Sequence, residues 1–134
     1  MADLVITPAN VLKYSLARSE TGVAGEAITA GQTLYKHTDN AMYKADCTTA
    51  AKAACLGVAL HAAATGQPIT YVKSGGLNPG AAVTVGAMYG VTDTAGGIGL
   101  VSERGAADFI TLLGVATTTS RIDLNLNASG VAIA

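Results

Sequence analysis

The sequence predicts an all-β protein: a small β-sandwich or barrel-like domain with two similar β lobes and at most one short helix. Three observations favour this class. The chain has 16 Gly and 3 Pro in 134 residues, and the apolar runs between them are short, as is typical of many short strands. A glycine-bounded pattern occurs twice along the chain. No long stretch has a helical period, which excludes a βαβ architecture.

The predicted elements begin with an arm. Leu4–Ile6, just before Pro8, is predicted to be an extended arm or an edge strand. A first strand is predicted at Asn10–Leu16, and the polar segment Arg18–Gly25 is predicted to be a loop. Further strands are predicted at Gln32–Thr38, Ala41–Ala45, Leu56–His61, Ile69–Lys73, Ala87–Val91, Ile98–Val101, Phe109–Ala116, Arg121–Leu126 and Val131–Ile133.

Two turns and one helix complete this list of elements. Asp39-Asn40 predicts a tight hairpin turn, and Ala95-Gly96-Gly97 predicts another. The Ala-rich segment Thr48–Ala54 is the one predicted helix, with Asp46 or Thr48 as its cap.

The internal repeat predicts the domain organisation. Gly-x-Ala-Ile/Val-Thr-x-Gly occurs at 25–31 and again at 80–86, 55 residues later, and Leu-Gly-Val-Ala occurs at 56–59 and 113–116. We therefore expect residues 1–17 to form an N-terminal arm and first strand, and residues 18–134 a single β domain. Within that domain the repeats cover about 25–73 and 80–126, as two similar lobes around one core.

Four glycines have predicted roles within this repeat. Gly31 and Gly86 are expected to turn the chain where a side chain would clash. Gly57 and Gly114 lie inside strand patterns, which indicates bulges or close backbone approaches.

Low charge indicates contact with other subunits. Charged residues make up 13% of the chain and apolar residues 50%, whereas an ordinary soluble domain has about 25% charged residues. Interface cores are depleted of charge, so we expect an oligomer; the alternative is a monomer covered by Thr, Ser, Asn and Gly. The net charge is −1, with no basic cluster. Nucleic acid and anionic membrane are therefore not expected as partners.

The sequence also indicates a compartment. No cationic secretory leader and no apolar run as long as a membrane span is present. We expect a protein that is made and kept in a cytoplasm, or released from it by lysis. Cys47 and Cys55 are then expected to be two free, buried thiols.

Residues that could carry chemistry do not form a recognisable catalytic or metal site. His37 and His61 lack metal-ligand spacing, and His37 is expected at the surface beside a hairpin. The Gly-rich run 96–99 lacks the strand and helix that would aim it at a phosphate, so a hairpin turn is expected there. The few carboxylates are dispersed. We expect no enzymatic activity, no metal and no cofactor.

Several runs, in their order and spacing, carry a resemblance to a known family. They are Leu4–Val11, Ala24–Tyr35, Leu56–Leu60, Ala64–Ile69, Ser74–Gly80, Asp93–Ile98 and Leu113–Thr117. Over nearly its whole length the chain resembles the head decoration, or capsid cement, proteins of tailed phages.

The resemblance implies a structural role. Such a protein would bind the major capsid protein on the outer surface of a phage head, often as a trimer, and would stabilise the shell by bridging capsomers. It would be assembled in the host cytoplasm and located on the capsid exterior. The alternatives are another virion β-domain of a tail or fibre, a carbohydrate-binding module, or a small enzyme.

The N-terminal arm supplies the candidate contact residues. They are Asp3, Leu4, Val5, Ile6 and Thr7. Apolar side chains on a free chain end are a liability unless a sheet edge holds them. That edge can belong to the same subunit, or to a neighbouring subunit or the capsid by strand addition.

Overall fold

Ten β-strands dominate the computed structural model, which describes residues 3–15, 17–103 and 109–132. The strands are β1 (Val11–Lys13), β2 (Arg18–Val23), β3 (Thr33–Lys36), β4 (Met42–Lys44), β5 (Cys55–Ala59), β6 (Pro68–Pro79), β7 (Met88–Val91), β8 (Ile98–Leu100), β9 (Phe109–Thr118) and β10 (Arg121–Ala132). In those ranges the helical segments are one α-helical turn, α1 (Ala50–Ala53), and two 3₁₀ turns, Pro8–Asn10 and Val101–Glu103. The predicted all-β class is confirmed.

All ten strands belong to one sheet that curls into a half-barrel. Its order is β4-β3-β5-β6-β10-β9-β7-β8, with β1 and β2 also paired to β6, and the strand pairs are antiparallel. β6 is the branch point. Ser74 pairs with Arg18 of β2 and with Asn125 of β10. The part of β6 before Ser74 pairs with β2 and β5, and the part after it pairs with β1 and β10.

The two halves of the chain have the same pairing pattern. Leu34 of β3 lies opposite Gly57 of β5, and the equivalent Tyr89 of β7 lies opposite Gly114 of β9. In both pairs the register shifts immediately after this position. β4 extends the first unit and β8 the second. β6 is therefore the last strand of the first unit, and it pairs with β10, the last strand of the second unit.

Gly31 and Gly86 occupy equivalent positions, with φ of 87° and 81°. This left-handed conformation favours glycine over any residue with a Cβ. The Gly31 amide donates to the Ala59 carbonyl at 2.8 Å, and the Gly86 amide donates to the Ala116 carbonyl at 2.8 Å. The repeated glycines therefore begin the same turn into β3 and into β7.

Gly57 and Gly114 are the predicted close approaches. A Cβ at Gly57 would lie 2.5 Å from the Val72 carbonyl oxygen of β6, and a Cβ at Gly114 would overlap the Asp123 carbonyl oxygen of β10. Each glycine lets a bulged strand lie against the backbone of the next strand.

The hydrophobic core consists of two clusters, one shared by both units and a smaller satellite cluster. The satellite cluster lies in the first unit and includes Ile28, Leu34, Ala59 and Tyr71. The shared cluster contains residues of both units. The repeat equivalents of those four satellite residues (Val83, Tyr89, Ala116 and Ile122) belong to the shared cluster. The first unit also buries its opposite face, with Val58 and Val72, in that shared cluster.

Turns join the two ends of the sheet. Gly96, with φ of 81°, lies in the β7–β8 hairpin. Its amide donates to the Ala45 carbonyl at 2.7 Å, and its carbonyl accepts from the Thr33 amide at 3.1 Å. The Ala95–Gly97 hairpin is thus confirmed, as is the turn at Asn40, where φ is 66°.

One predicted loop is wrong. Residues 18–23 of the segment predicted as a loop form β2, which pairs with Pro68–Ser74 of β6. β2 is polar and largely exposed, so backbone hydrogen bonds to β6 hold it rather than a buried apolar face. β6 is also longer than the predicted Ile69–Lys73.

Smaller corrections concern the ends of elements. The predicted helix is shortened to α1 and is capped by Thr49, whose hydroxyl accepts from the Lys52 amide at 3.2 Å. Asp46 instead accepts from the Thr48 amide at 3.0 Å. Leu16 and Ile133, predicted ends of strands, lie outside the described residues.

We expect Gly57→Ala to lower the free energy of unfolding by about 2–3 kcal/mol, because the new methyl group meets backbone that cannot move aside. Gly22→Ala is the matched control, since its methyl group would meet the flexible Met42 side chain at 3.2 Å. Urea denaturation of both variants measures the difference. Equal losses in the two variants would contradict the close approach at Gly57.

Candidate functional site

An open groove that no charged residue lines, among the residues the structure describes, lies beside the N-terminal arm. We call it the arm groove; its volume is 580 Å³. The arm, β1, the turn after β6 and the β9–β10 turn at Thr119-Ser120 supply its walls. In a chain with 17 formally charged side chains, a wall made only of Val, Leu, Ala, Gly, Thr, Ser and Asn indicates a contact surface.

Two exposed apolar side chains belong to this groove. Val5 is 90% exposed and Leu12 is 61% exposed. Val23 and Val85 are the other large apolar residues exposed in the part of the chain that the structure describes, and neither lines the groove. Two large apolar side chains on one uncharged groove are more informative than scattered ones.

The arm pairs within its own subunit. Asp3 forms a bridge with Gly99 of β8, and the Leu4 amide donates to the Ile98 carbonyl at 2.8 Å. Farther along, the Thr7 amide donates to the Gly80 carbonyl at 2.9 Å. Of the two edges that the sequence left open, the structure shows the intramolecular one.

The five candidate arm residues differ in whether they face the core or the arm groove. Leu4 and Ile6 pack against the shared core, which anchors the arm. Val5 and Thr7 are exposed and line the groove. Asp3 lies away from the groove, and its Oδ1 is buried with no hydrogen-bond partner among the described residues. Only Val5 and Thr7 of the predicted set are therefore placed to contact a partner through the groove. The sequence missed Leu12, which adjoins them only after folding.

A second cleft, the basic cleft, has a volume of 850 Å³. Lys13, Arg18, Lys73 and Glu20 supply its charges, and Leu56 and Leu126 are among its apolar residues. No pattern in the sequence indicates this cleft, because its three cations lie on different strands and form no run along the chain.

The aromatic cluster on the β3–β4 hairpin stabilises the hairpin. His37 lies edge-on to Tyr35 and Tyr43, at centroid distances of 6.1 Å and 5.4 Å. The Tyr43 hydroxyl donates to Asp39 Oδ2 at 2.7 Å. This hydrogen bond lowers the pKa of Asp39 and raises the pKa of Tyr43. A Cβ at Gly25 would overlap the Tyr43 ring, so that ring packs on bare backbone.

The two thiols and His61 are accounted for locally. Cys47 and Cys55 are buried and form no disulfide, as predicted. Burial raises the pKa of Cys55 to about 12, and its thiol donates to the Gly57 carbonyl at 3.3 Å. His61 Nε2 accepts from the Thr70 amide at 3.0 Å. Within the described ranges no three His, Cys, Asp or Glu side chains come close enough to hold a metal ion.

No helix in the described part of the chain is long and apolar enough to cross a membrane. No protein-family model matches the chain, and no curated protein matches it. Function is therefore inferred from the chemistry of the two surfaces.

We expect the free energy of unfolding to fall as the pH rises above about 9. The ordinary thiol pKa is 9.0 and that of folded Cys55 is about 12, so between these values ionisation favours the unfolded chain. The raised pKa of Tyr71, ordinarily 10.0, acts in the same direction at higher pH. Denaturant titrations from neutral pH to pH 10 measure this slope.

Cys55→Ser is the control for the alkaline loss. It removes the thiol, so the decline should begin later, where tyrosines ionise, whatever the variant's stability at neutral pH. Identical pH dependence of the wild type and Cys55→Ser between pH 9 and 10 would show that Cys55 is not the group responsible.

Proposed function

We propose that the protein is a head decoration, or capsid cement, protein of a tailed phage. It binds the outer surface of the head, contacts the major capsid protein and stabilises the shell by bridging capsomers. The resemblance supplies the biological setting, and the arm groove is the observation that supports a docking role. The proposal needs no reaction, metal or cofactor.

The chemistry of the arm groove suits protein contact. Burying an exposed Val or Leu side chain is worth about 1.5–3 kcal/mol. Val5 and Leu12 are available for such burial, and docking there would desolvate no charged group lining the groove. Thr7 and Asn10 offer hydrogen bonds around them, as the polar rim of an interface does.

The support beneath the groove suits a clamp. The Leu4 and Thr7 amides bond to Ile98 and Gly80, one on each side of Val5. Val5 is therefore presented by backbone that is already fixed, so little further ordering is needed on docking. Leu12 is held in β1 by pairing with Asn78.

The proposed assembly is a homo-oligomer, with a trimer as the first choice. We expect sedimentation at micromolar concentration to give a mass above the 13.3 kDa of one chain, because 13% charged residues leave little charge to cover a monomer. A monomer under these conditions would contradict self-association in solution and would leave assembly on the shell alone.

Charging the arm groove tests its role in shell binding. We expect Val5→Asp combined with Leu12→Asp to weaken binding to expanded heads that lack decoration protein by about tenfold or more, since 1.4 kcal/mol is a factor of ten. Titration onto the heads, followed by pelleting, measures the affinity. Val23→Asp is the matched control, because Val23 is 48% exposed and does not line the groove.

The possible outcomes distinguish failure of the arm groove as the contact site from failure of the decoration function itself. Circular dichroism and thermal melts first establish that all variants fold. Wild-type affinity in the double variant would remove the arm groove as the contact surface. Failure of the wild-type protein to bind any decoration-free head would overturn the decoration function itself.

A further inference from the structure

The basic cleft lies where the sheet branches. Lys73 and Ser74 of β6 form part of its wall, and Ser74 is the residue at which β6 pairs with β2 on one edge and β10 on the other. Cys55 and Leu56 of β5 and Asn125 and Leu126 of β10 complete that side of the cleft. The cleft therefore spans β6, with β1 and β2 along one edge of that strand and β5 and β10 along the other.

The pairing of β5 and β10 with β6 ends at this cleft. β5 pairs with β6 through Val58 and Ala59, so Cys55 and Leu56 lie beyond the part of β5 that pairs with β6. β10 pairs with β6 through Ile122–Asn125, and Leu126 lies just beyond.

The charge in the cleft is positive although the chain's net charge is −1. Lys13, Arg18 and Lys73 face one carboxylate, Glu20, which leaves an excess of two positive charges. Glu20 is bound to Lys73 at 2.9 Å, and that contact lowers the pKa of Glu20. Lys13 donates to the Ala17 carbonyl at 3.3 Å. Arg18 has no ion pair with any described residue.

Apolar side chains lie between these charges. Leu56 and Leu126 are each half-buried in the cleft wall. Successive side chains of an extended chain point to opposite sides. A segment that alternates acidic and apolar residues would direct carboxylates to the cations and apolar groups to the leucines.

We propose that the basic cleft binds an extended acidic segment of a partner protein, with Arg18 and Lys13 as its charge contacts. The cations select carboxylates, and Leu56 and Leu126 accept the apolar side chains of the segment. This surface is separate from the arm groove. Leu12 lines the groove and Lys13 lines the cleft, and consecutive strand residues point to opposite faces.

A protein segment fits the cleft better than a nucleic acid does. Affinity for nucleic acid rises with the number of phosphates neutralised, and three cations, one of them already paired with Glu20, neutralise few. Single-strand binding also uses aromatic side chains for base stacking, and none of the described residues that line the cleft is aromatic.

The test uses the full chain and a fluorescein-labelled hexapeptide of alternating leucine and glutamate. We expect fluorescence polarisation to show binding that weakens with salt, because the contacts are exposed. A peptide with glutamine in place of glutamate should bind at least fivefold more weakly. Arg18→Gln and Lys13→Gln should each weaken binding about two- to fivefold, the range expected for exposed charge contacts.

Lys52→Gln is the charge-matched control, since Lys52 is exposed on α1 and does not line the cleft. Amide NMR signals of Leu56 and Leu126 should shift when peptide binds. Equal binding of the glutamine peptide, or equal losses in Lys52→Gln and Arg18→Gln, would overturn the proposal. Tighter binding of a single-stranded oligonucleotide of the same charge would assign the cleft to phosphate instead. The assay uses no phage heads, so its failure leaves the decoration function standing.

Discussion

Strand β6 is the constraint on which the rest of the structure depends. One strand of 12 residues carries the hydrogen bonds of four neighbours. The change of neighbours requires glycine: Gly75 has φ of 92°, and a Cβ there would lie 2.7 Å from the Ala17 Cα. A side chain at this point would push away the turn between β1 and β2. The register of both units therefore depends on a few residues in the middle of β6.

Equivalent positions of the two units have different environments. Val72 is buried in the shared core, but its pairing equivalent in the second unit is the half-exposed Asp123. Tyr35 is buried, and its equivalent is Gly90. The backbone pattern repeats while the buried faces do not, because the first unit is covered on both faces. This explains why the two repeats share glycines and small residues but differ at other positions.

The local parts of the fold could be predicted from the sequence, and the long-range parts could not. Glycine chemistry identified Gly57 and Gly114, because a backbone without a side chain has few other uses inside a strand. Asn40 and Gly96 marked their turns because Asn and Gly adopt positive φ more readily than other residues. β2 was not predicted as a strand, because its sequence has no buried apolar pattern and only its pairing with β6 makes it a strand. In the site, the exposed arm residues Val5 and Thr7 were predictable, whereas Leu12 and the cations of the basic cleft are assembled from distant segments by pairing with β6.

The two proposed surfaces are mechanically coupled through β1. Leu12 and Lys13 are adjacent residues that line different sites, and β1 is held to β6 at Asn78 and Leu77 opposite them. A load applied at the arm groove is therefore carried by backbone hydrogen bonds into β6, beside the basic cleft. A protein that bridges two neighbours needs this stiffness, because a flexible linkage between its contacts would let the neighbours separate while each contact stayed intact. Under the proposed function, β6 is the strand that would let one small chain join two partners without a hinge.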